Sequence, residues 1–582
     1  MNFIIFVTLS LFLTCNALPP KILRRFWTNT GFAPIGNDPR EVLLSSDTLT
    51  NVDLISSLPN QGLETIRIHW LLDLVDSKGD KYGKLDKFLD GLVQKKMNLG
   101  LEIMSHRKFE YENDIYELLK RYTMRYGIEI TSKWKLETWN EPDLKSYNVL
   151  NFTLDDYLNY IQALKIGLER ISDESGHNFT LRGPAGLFRN PKNHEFCWKA
   201  VELCQDGTKK CPFDVITFHR KGNGSAESVF SETISLIVEL SNTFPRLSQM
   251  KFSNDEADPI VTWSEPREFQ ADIRYAATVV ETILLHWTAI YNEIINLESI
   301  SHDNAFLSFY PHQFTQRTLL ARFQMNNSNP WHTQFFQKPV FAALGLMANL
   351  GPLAFDIEKK QNWNGSDVIY LSTIGKGSKF YLSTILVMKK SIKTNIFRYE
   401  LPQELLKRAS NTTIWYSVEG IIDGVTDPYH FWVKNGSPAF PNPAFRDILR
   451  KIQTPLLLDH GKKETLTHFD ITEERSSIIL IRACEEGTPA PIKIHEIRLT
   501  KVTEDEVLII WSDKFYEERC ILTYQVYFQG KKDGKWEEIT KNRHVPFMNF
   551  QFRAKNATLG CYKVRSVDIL MQKSEFSEVH CM

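Results

Sequence analysis

Two acidic residues stand in contexts that suit paired-carboxylate chemistry. Glu141 lies in LETWNEPD, residues 136–143, at the end of an apolar and aromatic run. Pro142 follows it and has no N–H to continue a strand, so the carboxylate is expected where a strand ends. Glu256 lies in SNDEADP, residues 253–259. Two such carboxyl groups can act as general acid and nucleophile on a glycosidic bond, although each acid read alone is also typical of a surface turn.

The neighbours of these acids favour a functional interpretation. Trp139 and Asn140 precede the first acid and supply a flat apolar face and an amide, both suited to a sugar ring. Around the second acid, Asp255, Glu256 and Asp258 form an acidic cluster whose members raise one another's pKa. Such a cluster at a strand end is costly unless cations or hydrogen bonds compensate it. A solvated acidic surface is the alternative.

Between about residues 22 and 345, where these acids lie, the sequence alternates predicted β-strands with predicted helices. Helical stretches such as LDKFLDGLVQKKM, which places Leu85, Phe88, Leu89, Leu92 and Val93 on one face, separate short apolar runs. Eight such runs predict a (β/α)8 TIM barrel, with polar residues at the C-terminal strand ends. An open doubly wound sheet is the alternative, but no Gly-rich phosphate loop follows the first run. The predicted strands are RFWTN, TIRIHW, LGLEIMS, KWKLETWN, TLRGPAG, DVITFHR, KFSNDEAD and SHDNAFLSF.

The sequence pattern beyond the predicted barrel is typical of all-β domains. Residues 18–350 are assigned to the barrel, although the first of them could join the sheet that follows. Short alternating runs with Gly, Asn and Asp between them predict a β-sandwich over residues 351–488. Evenly spaced strands predict a fibronectin type III-like (Ig-like) domain over residues 489–582. Trp511, Tyr562 and Val564 are expected in its core.

The N-terminus indicates entry into the secretory pathway. An apolar stretch from Phe3 to about Thr14 predicts a signal peptide over residues 1–17, although no Lys or Arg marks its start. A membrane anchor is the alternative, but the stretch is shorter than the roughly 20 residues that a spanning helix needs, and no later segment is apolar enough. Seven sequons are predicted glycosylation sites. An eighth, at Asn435, is a poorer candidate because Pro438 directly follows its Ser437. The seven are Asn151, Asn178, Asn223, Asn326, Asn364, Asn411 and Asn556.

The cysteine count fits an oxidising compartment. Removal of Cys15 with the signal leaves seven cysteines, so at least one is free or bonded to another molecule. We expect a disulfide between Cys520 and Cys561, while a bond between Cys484 and Cys581 is possible. The other three are unassigned, and their seven-residue spacing without a C-x-x-C does not favour metal binding. These are Cys197, Cys204 and Cys211.

The charge balance restricts the partners. The 69 basic and 70 acidic residues give a formal net charge of -1, so no global basic field favours nucleic acid. An anionic substrate therefore needs local cations. Lys221 in FHRKG and Arg317 in FTQRT are the candidates, each of which read alone is more typical of an exposed surface cation. His69 in RIHW is a further candidate, or else a buried histidine with its hydrogen bonds satisfied.

Four strings resemble glycoside hydrolase family 39 of clan A. They are ETWNEPD, HRKG, NDEADP and DNAFLSFYPHQFTQRTLLARFQ, and the resemblance runs from about residue 28 to the end of the chain. It implies that Glu141, after barrel strand 4, is the general acid/base. It also implies that Glu256, after strand 7, is the nucleophile of a retaining double displacement. Such a mechanism requires a carboxyl separation of about 5–5.5 Å.

The resemblance is strongest to family members that remove terminal α-L-iduronic acid from dermatan sulfate and heparan sulfate. It implies a lysosomal or secreted enzyme, monomeric or homodimeric, without metal or organic cofactor. A β-xylosidase of the same family and a carbohydrate-binding pseudoenzyme are the alternatives. The family has a glycine where this chain has Thr262, and a threonine disfavours positive φ. The implied substrate contacts are His69, Asn140, Lys221, Thr262, Asp303 and Arg317.

Overall fold

The computed structural model describes most of the chain, and within the described part no helix is long and apolar enough to cross a membrane. The predicted signal peptide and the sequons at Asn364 and Asn411 lie outside the described residues. The described ranges are 19–34, 38–76, 79–205, 207, 210–361, 367–376, 379–389, 396–409, 412–513, 520–530 and 534–582.

Eight parallel strands close into a barrel, which confirms the predicted (β/α)8 architecture. Its first and last strands differ from the prediction. The aromatic run at Phe26 and Trp27 forms a turn before the first strand, and AFLSF is a loop in which Phe306 stacks on Trp263 at 4.4 Å. The strands are β1 Asn29–Phe32, β2 Thr65–Ile68, β3 Asn98–Glu102, β4 Lys135–Glu137, β5 Leu181–Gly186, β6 Val215–Phe218, β7 Lys251–Asn254 and β8 Leu297–His302.

Helices surround this barrel with their apolar faces turned inward. The predicted amphipathic helix spans Gly83–Gln94 and buries Leu85, Phe88, Leu89 and Leu92. The longest, Leu154–Ser175, begins at a capping box in which Thr153 and Asp156 satisfy each other's backbone N–H groups. The remaining α-helices are Pro39–Leu43, Ser46–Ser56, Tyr111–Tyr126, Ile128–Thr131, Glu195–Glu202, Ala226–Thr243, Ile273–Tyr291, Pro339–Met347, Gln403–Ala409, Pro428–Lys434 and Pro443–Ile452.

A β-sandwich follows the barrel and includes the first described residues. Lys21–Ile22 pairs with Leu353–Ala354, so the chain enters the sheet before it enters the barrel. The second layer is the strand pair Ile396–Glu400 and His468–Thr472, and an apolar core lies between the layers. The large sheet continues through Asp367–Ile374, Tyr381–Met388, Ser477–Glu485, Ile414–Ile422 and Leu456–Lys463, with Glu358–Gln361 at its side. A separate hairpin joins Leu320–Met325 to His332–Gln337.

The C-terminal domain consists of two facing antiparallel sheets. Trp511, Tyr562 and Val564 are buried in the core between them, as the sequence predicts. The domain packs against the barrel through Phe547, whose ring lies on Gly345. A Cβ at Gly345 would be only 2.3 Å from this ring, so the contact depends on the glycine. The first sheet contains Glu496–Thr503, Glu506–Ser512 and Asn549–Arg553; the second contains Glu537–Glu538, Ile521–Gln529, Cys561–Asp568 and His580–Cys581.

The expected Cys520–Cys561 disulfide is wrong. Cys520 immediately precedes the strand Ile521–Gln529, which pairs antiparallel with the strand of Cys561 so that Gln529 lies opposite Cys561. The two cysteines therefore lie at opposite ends, roughly 30 Å apart at about 3.4 Å per residue. A disulfide needs Cα atoms closer than about 7 Å. The alternative Cys484–Cys581 bond is wrong as well. The bonds are Cys204–Cys211, Cys484–Cys520 and Cys561–Cys581, and Cys197 is the free, buried cysteine among the described residues.

The Cys484–Cys520 bond joins the sandwich to the C-terminal domain across 36 residues. Replacing both cysteines by Ala should lower the free energy of unfolding by about 2–4 kcal/mol, because the open loop restores chain entropy to the unfolded state. The matched control is the double Ala variant of Cys204 and Cys211, which opens only seven residues and should cost about 1.5 kcal/mol less. Calorimetric unfolding measures both; equal losses would contradict the loop-entropy account.

Candidate active site

Arg67 occupies the centre of the barrel's C-terminal mouth. It lies on β2, two residues before His69, so the alternation of the strand points both side chains into the barrel. The residue is only 5% exposed. Its Nη2 lies 2.6 Å from Glu102, its Nε donates to Glu137 at 2.6 Å and its Nη1 donates to Glu256 at 3.2 Å. Burial opposes this charge, but the surrounding carboxylates outweigh it and raise the Arg67 pKa.

Glu256 follows β7 and is enclosed by cations. Besides Arg67, the ammonium of Lys221 donates to its Oε2, and Nδ1 of His219 lies 3.5 Å from its Oε1. Burial alone would raise the pKa of this carboxyl, but His219, Lys221 and Arg67 together hold it well below its ordinary value. Against the effect of burial, the Glu256 carboxylate raises the pKa of Lys221 to about 12. Glu256 is therefore an anion over the whole physiological range.

Glu141 follows β4 and faces Glu256 across the mouth. Its backbone has φ 43°, a strained conformation held by its N–H donating to the carbonyl of Ala185 at 2.9 Å. Its Oε1 lies 2.9 Å from His219 Nδ1. Arg67 can only donate at His219 Nε2, 3.1 Å away, so the ring proton lies on Nδ1 and points at the carboxylates. One oxygen of each acid and a His219 nitrogen lie within 4.8 Å of one another.

Three further predicted residues lie at the same mouth. His69 Nδ1 lies 2.8 Å from Glu102, and this carboxylate and Asp303 raise the His69 pKa to about 10 against the effect of burial. Asp303 follows β8 with one oxygen 3.8 Å from His69 Nε2. Its carboxylate occupies the space that a side chain at Gly31 would need, since a Cβ there would lie 1.6 Å away. Asn140 accepts from Arg67 at 2.8 Å, while its buried amide nitrogen has no partner among the described residues.

Arg317 lies deeper than a surface cation would. The residue is 2% exposed, and its Nη2 lies 2.9 Å from Asp258. It also donates to the carbonyls of Ile260 and Asp303, at 2.5 and 3.3 Å. Burial and neighbouring Asp303 raise the Asp258 pKa to about 7, although Arg317 opposes this. Arg317 thus fixes the loop after β7 to the loop after β8, while Lys221 is the more accessible of the two predicted cations.

Thr262 adopts the conformation that its side chain disfavours. Its φ is 62°, in the left-handed region where glycine is the usual residue. The loop is held by Arg267, whose Nη1 donates at 3.1 Å to the carbonyls of Val261 and Thr262. The backbone shape expected for a glycine is therefore present with a threonine in place, and the strain is carried locally.

A cavity of about 730 Å³ opens beside Glu141. Lys221 and His219 line its inner end, and the exposed sequon residue Asn223 lies on its wall. The sequon at Asn326 is also exposed, at the start of the turn in the hairpin that runs from Leu320 to Gln337. Asn151, Asn178 and Asn556 are exposed elsewhere on the surface.

Several residues of the site escape prediction from the sequence. Arg67, Glu102 and Glu137 lie within predicted strands, and strand alternation relative to His69 could have placed Arg67 inside the barrel. His219 lies two residues before Lys221 and is predicted at the end of the strand in FHRKG, but without a role. The sequence does not reveal how the strands pair, and it is this pairing that brings all these side chains together around the Arg67 guanidinium.

Two groups in the mouth have the spacing of metal ligands. They are His69 with Glu256 and Asp303, and Glu141 with His219 and Glu256. Both include Glu256, whose carboxylate already contacts Arg67 and Lys221. A divalent cation at either place would face fixed positive charge, so we assign no metal to them.

The comparisons with known proteins identify the family. Residues 14–463 match the model of glycosyl hydrolases family 39. The chain belongs to this family. Residues 495–581 match the α-L-iduronidase C-terminal domain. Together the two matches cover the barrel, most of the sandwich and the C-terminal domain, so the family relationship extends over nearly the whole chain and identifies a glycoside hydrolase.

Three relatives of this family 39 member are similar over nearly their whole length. The α-L-iduronidase of Drosophila melanogaster is 35% identical, covering 95% of this chain and 94% of its own. That of Mus musculus is 30% identical, covering 97% and 94%. The crystal structure of a bacterial orthologue of human α-L-iduronidase has a TM-score of 0.81 at 21% identity, with 97% of both chains covered. This last likeness establishes the fold.

Replacing Arg67 by Met should lower the free energy of unfolding by about 3–5 kcal/mol, because it leaves several buried carboxylates without their shared cation. The matched control is Arg398→Met, which removes an exposed partner of Asp470 and should leave the free energy of unfolding nearly unchanged, because solvent screens the pair. Denaturant unfolding of both variants measures the difference. Similar losses would show that the buried position of Arg67 carries no special weight.

Replacing Thr262 by Gly should raise the free energy of unfolding by about 1 kcal/mol, since glycine adopts φ 62° without the cost that a β-branched side chain meets. Thr262→Val keeps the branch and should change the stability by less than about 0.5 kcal/mol. Thermal unfolding of the pair is the measurement. A glycine variant no more stable than the valine variant would rule out strain at this residue.

Proposed function

We propose that the chain is a retaining exo-glycosidase that removes terminal α-L-iduronic acid from dermatan sulfate and heparan sulfate fragments. The observation that carries this proposal is the pair of buried carboxylates, Glu141 and Glu256, with one oxygen of each within 4.8 Å. Retaining enzymes hold the two carboxyl groups about 5–5.5 Å apart, whereas inverting enzymes need about 6.5–9.5 Å to admit a water. Relatives named α-L-iduronidase at 30–35% identity support the substrate.

In the first step, Glu256 attacks the anomeric carbon while Glu141 protonates the departing glycosidic oxygen. The cations around Glu256 keep it ionised, and this satisfies the requirement for a nucleophile. The bond from the anomeric carbon to the leaving oxygen breaks as the bond to the Glu256 oxygen forms. Glu141 ends this step as a carboxylate.

In the second step, Glu141 takes a proton from the water that attacks the glycosyl-enzyme. The new sugar hydroxyl forms and Glu256 is released as a carboxylate, so both groups return to their starting states. His219 Nδ1–H, 2.9 Å from Glu141, can hold the carboxylate in the orientation that both steps require. No other reactant than water is needed.

An acidic sugar fits the charge of the mouth. Lys221 is the accessible cation beside the nucleophile, and Arg317 supports the neighbouring loop. The buried Asn140 amide nitrogen, which has no partner among the described residues, can donate to a ring hydroxyl. A neutral xyloside would leave the positive charge at Lys221 without a substrate partner, so the β-xylosidase alternative is less favoured.

The surroundings of the enzyme are part of the same proposal. We infer a catalytic unit over residues 18–350, a sandwich over 351–488 and a C-terminal domain over 489–582. The disulfides fit an oxidising compartment, consistent with delivery to a lysosome or secretion as a monomer or homodimer. The exposed sequons are proposed to carry glycans: Asn151, Asn178, Asn223, Asn326 and Asn556.

A panel of fluorogenic glycosides at mildly acidic pH tests the substrate and the roles together. We expect cleavage of the α-L-iduronide, no cleavage of the β-xyloside, and a loss of at least about 1,000-fold in kcat for Glu256→Gln. In kcat/KM, which reports the first step, Glu141→Gln should lose much less on aryl leaving groups that need no proton than on alkyl or saccharide leaving groups, because only the latter depend on acid assistance. Its kcat should fall on all of them, because the second step lacks its general base.

Two outcomes would contradict these assignments separately. Cleavage of the β-xyloside but not of the α-L-iduronide would reject the substrate. Undiminished activity of Glu256→Gln, or equal losses of kcat/KM for Glu141→Gln on all leaving groups, would reject the roles. Asp272→Asn, at a helix N-cap where the buried carboxylate pairs with Arg274, serves as a control for removal of a buried carboxylate.

A further inference from the structure

A second pair of carboxyl groups lies beneath the proposed catalytic pair. Glu137 is the last residue of β4, four residues before Glu141, and Asp255 immediately precedes Glu256 after β7. Both side chains point into the barrel, where they are 3% and 5% exposed. The proposed mechanism uses neither of them.

Each of these carboxyl groups has one oxygen with a donor and one without. Glu137 Oε2 accepts from Arg67 Nε at 2.6 Å, and Asp255 Oδ1 accepts from Ser253 Oγ at 2.6 Å. Glu137 Oε1 and Asp255 Oδ2 are buried without a donor from any other described residue. These unpartnered oxygens belong to side chains that lie close enough for a side-chain hydrogen bond between them to shift the pKa of each. Two acceptors can make such a contact only when a proton lies between them.

We propose that Glu137 and Asp255 share a single proton, and that this bond ties the end of β4 to the end of β7 and so sets the spacing between Glu141 and Glu256. Both are positioning residues, since neither reaches the mouth where a substrate would bind. The positioning role rests on the proposed function of the two catalytic carboxylates, whereas the shared proton itself does not.

The surrounding charges determine which residue carries the proton. Arg182 on β5 lies 3.6 Å from Asp255 and, after the opposing effect of burial, holds its pKa well below the ordinary value. Burial and the facing Asp255 raise the pKa of Glu137 to about 7, although Arg67 opposes this. The proton therefore lies on Glu137 Oε1 and is donated to Asp255. The other charged groups near the pair are Glu102 on β3, Lys135 on β4 and Glu298 on β8.

The sign of the pH dependence follows from the raised pKa of Glu137. Its ordinary value is 4.5 and its folded value is about 7, so the folded protein binds the proton more tightly. The stabilisation is fully present below pH 4.5 and is lost as the pH rises towards 7. Over that window one proton changes the unfolding equilibrium by about tenfold per pH unit. The bond is thus intact under acidic conditions.

Glu137→Gln tests the shared proton because its amide reproduces the protonated acid. The carbonyl oxygen can accept from Arg67, and the amide nitrogen can donate to Asp255 at every pH. We expect the infrared difference spectrum between wild type and variant at pH 5–6 to show the loss of one protonated carboxyl band, while the bands of other protonated groups such as Asp258 stay unchanged. We also expect the ratio of unfolding constants of wild type and variant to change by about tenfold per pH unit between 4.5 and 7. Activity at acidic pH should stay within about threefold of wild type.

Two further variants separate a positioning role of Glu137 from a general effect on the fold. Glu137→Leu removes the bond and should lower kcat by at least about 100-fold with a smaller change in KM. Glu102→Gln changes another buried carboxylate of Arg67 that does not face Asp255, and it should keep the infrared band. Persistence of the band in Glu137→Gln, or a constant ratio of unfolding constants, would overturn the shared proton.

The activity measurements test the positioning role alone. Equal losses of kcat in Glu137→Gln and Glu137→Leu would overturn it. The infrared and unfolding measurements need no substrate. Failure of the wild-type protein to cleave the iduronide would therefore contradict the proposed function. The infrared and unfolding measurements would still test the shared proton.

Discussion

The charge of Arg67, enclosed by carboxylates from three other strand ends, is the constraint on which the mouth of this barrel depends. Glu102, Glu137 and Glu256 each contact the same guanidinium, which is buried with them. Neither Arg67 nor the anions Glu102 and Glu256 could be buried alone, because isolated charges in a protein interior cost several kcal/mol. The planar fork of arginine serves several partners in fixed directions, which a lysine could not do. The geometry of the site is therefore a consequence of how one cation is satisfied.

The same arrangement separates the two proposed catalytic acids chemically. Glu256 lies against Arg67 and Lys221 and is held as an anion, whereas Glu141 contacts the ring of His219 at the rim of a cavity. Two carboxylates with oxygens within 4.8 Å thus have unequal surroundings. A division into nucleophile and proton donor requires such inequality. Glu141 and Thr262 adopt left-handed backbone conformations that their residue types disfavour, and hydrogen bonds to Ala185 and from Arg267 hold them there.

Much of the fold could be predicted from the sequence, because the helix pattern and the strand punctuation are local properties. The placement of Glu141 and Glu256 after β4 and β7 is confirmed for the same reason. The Cys520–Cys561 bond was wrong because the register of a β-sheet is not local, and the antiparallel pairing separates these residues by a whole strand. The network around Arg67 was missed on similar grounds, since it exists only after eight strands have closed into a ring.

The strand Lys21–Ile22 affects how the protein can fold during its synthesis. Its partner, Leu353–Ala354, lies more than 300 residues later, so the emerging segment waits unpaired while the ribosome makes everything between them. At about 5–20 residues per second this delay is roughly 20–60 s. The large sheet of the sandwich therefore cannot be completed in the order of synthesis, because its first strand has no partner until the whole barrel sequence has been made.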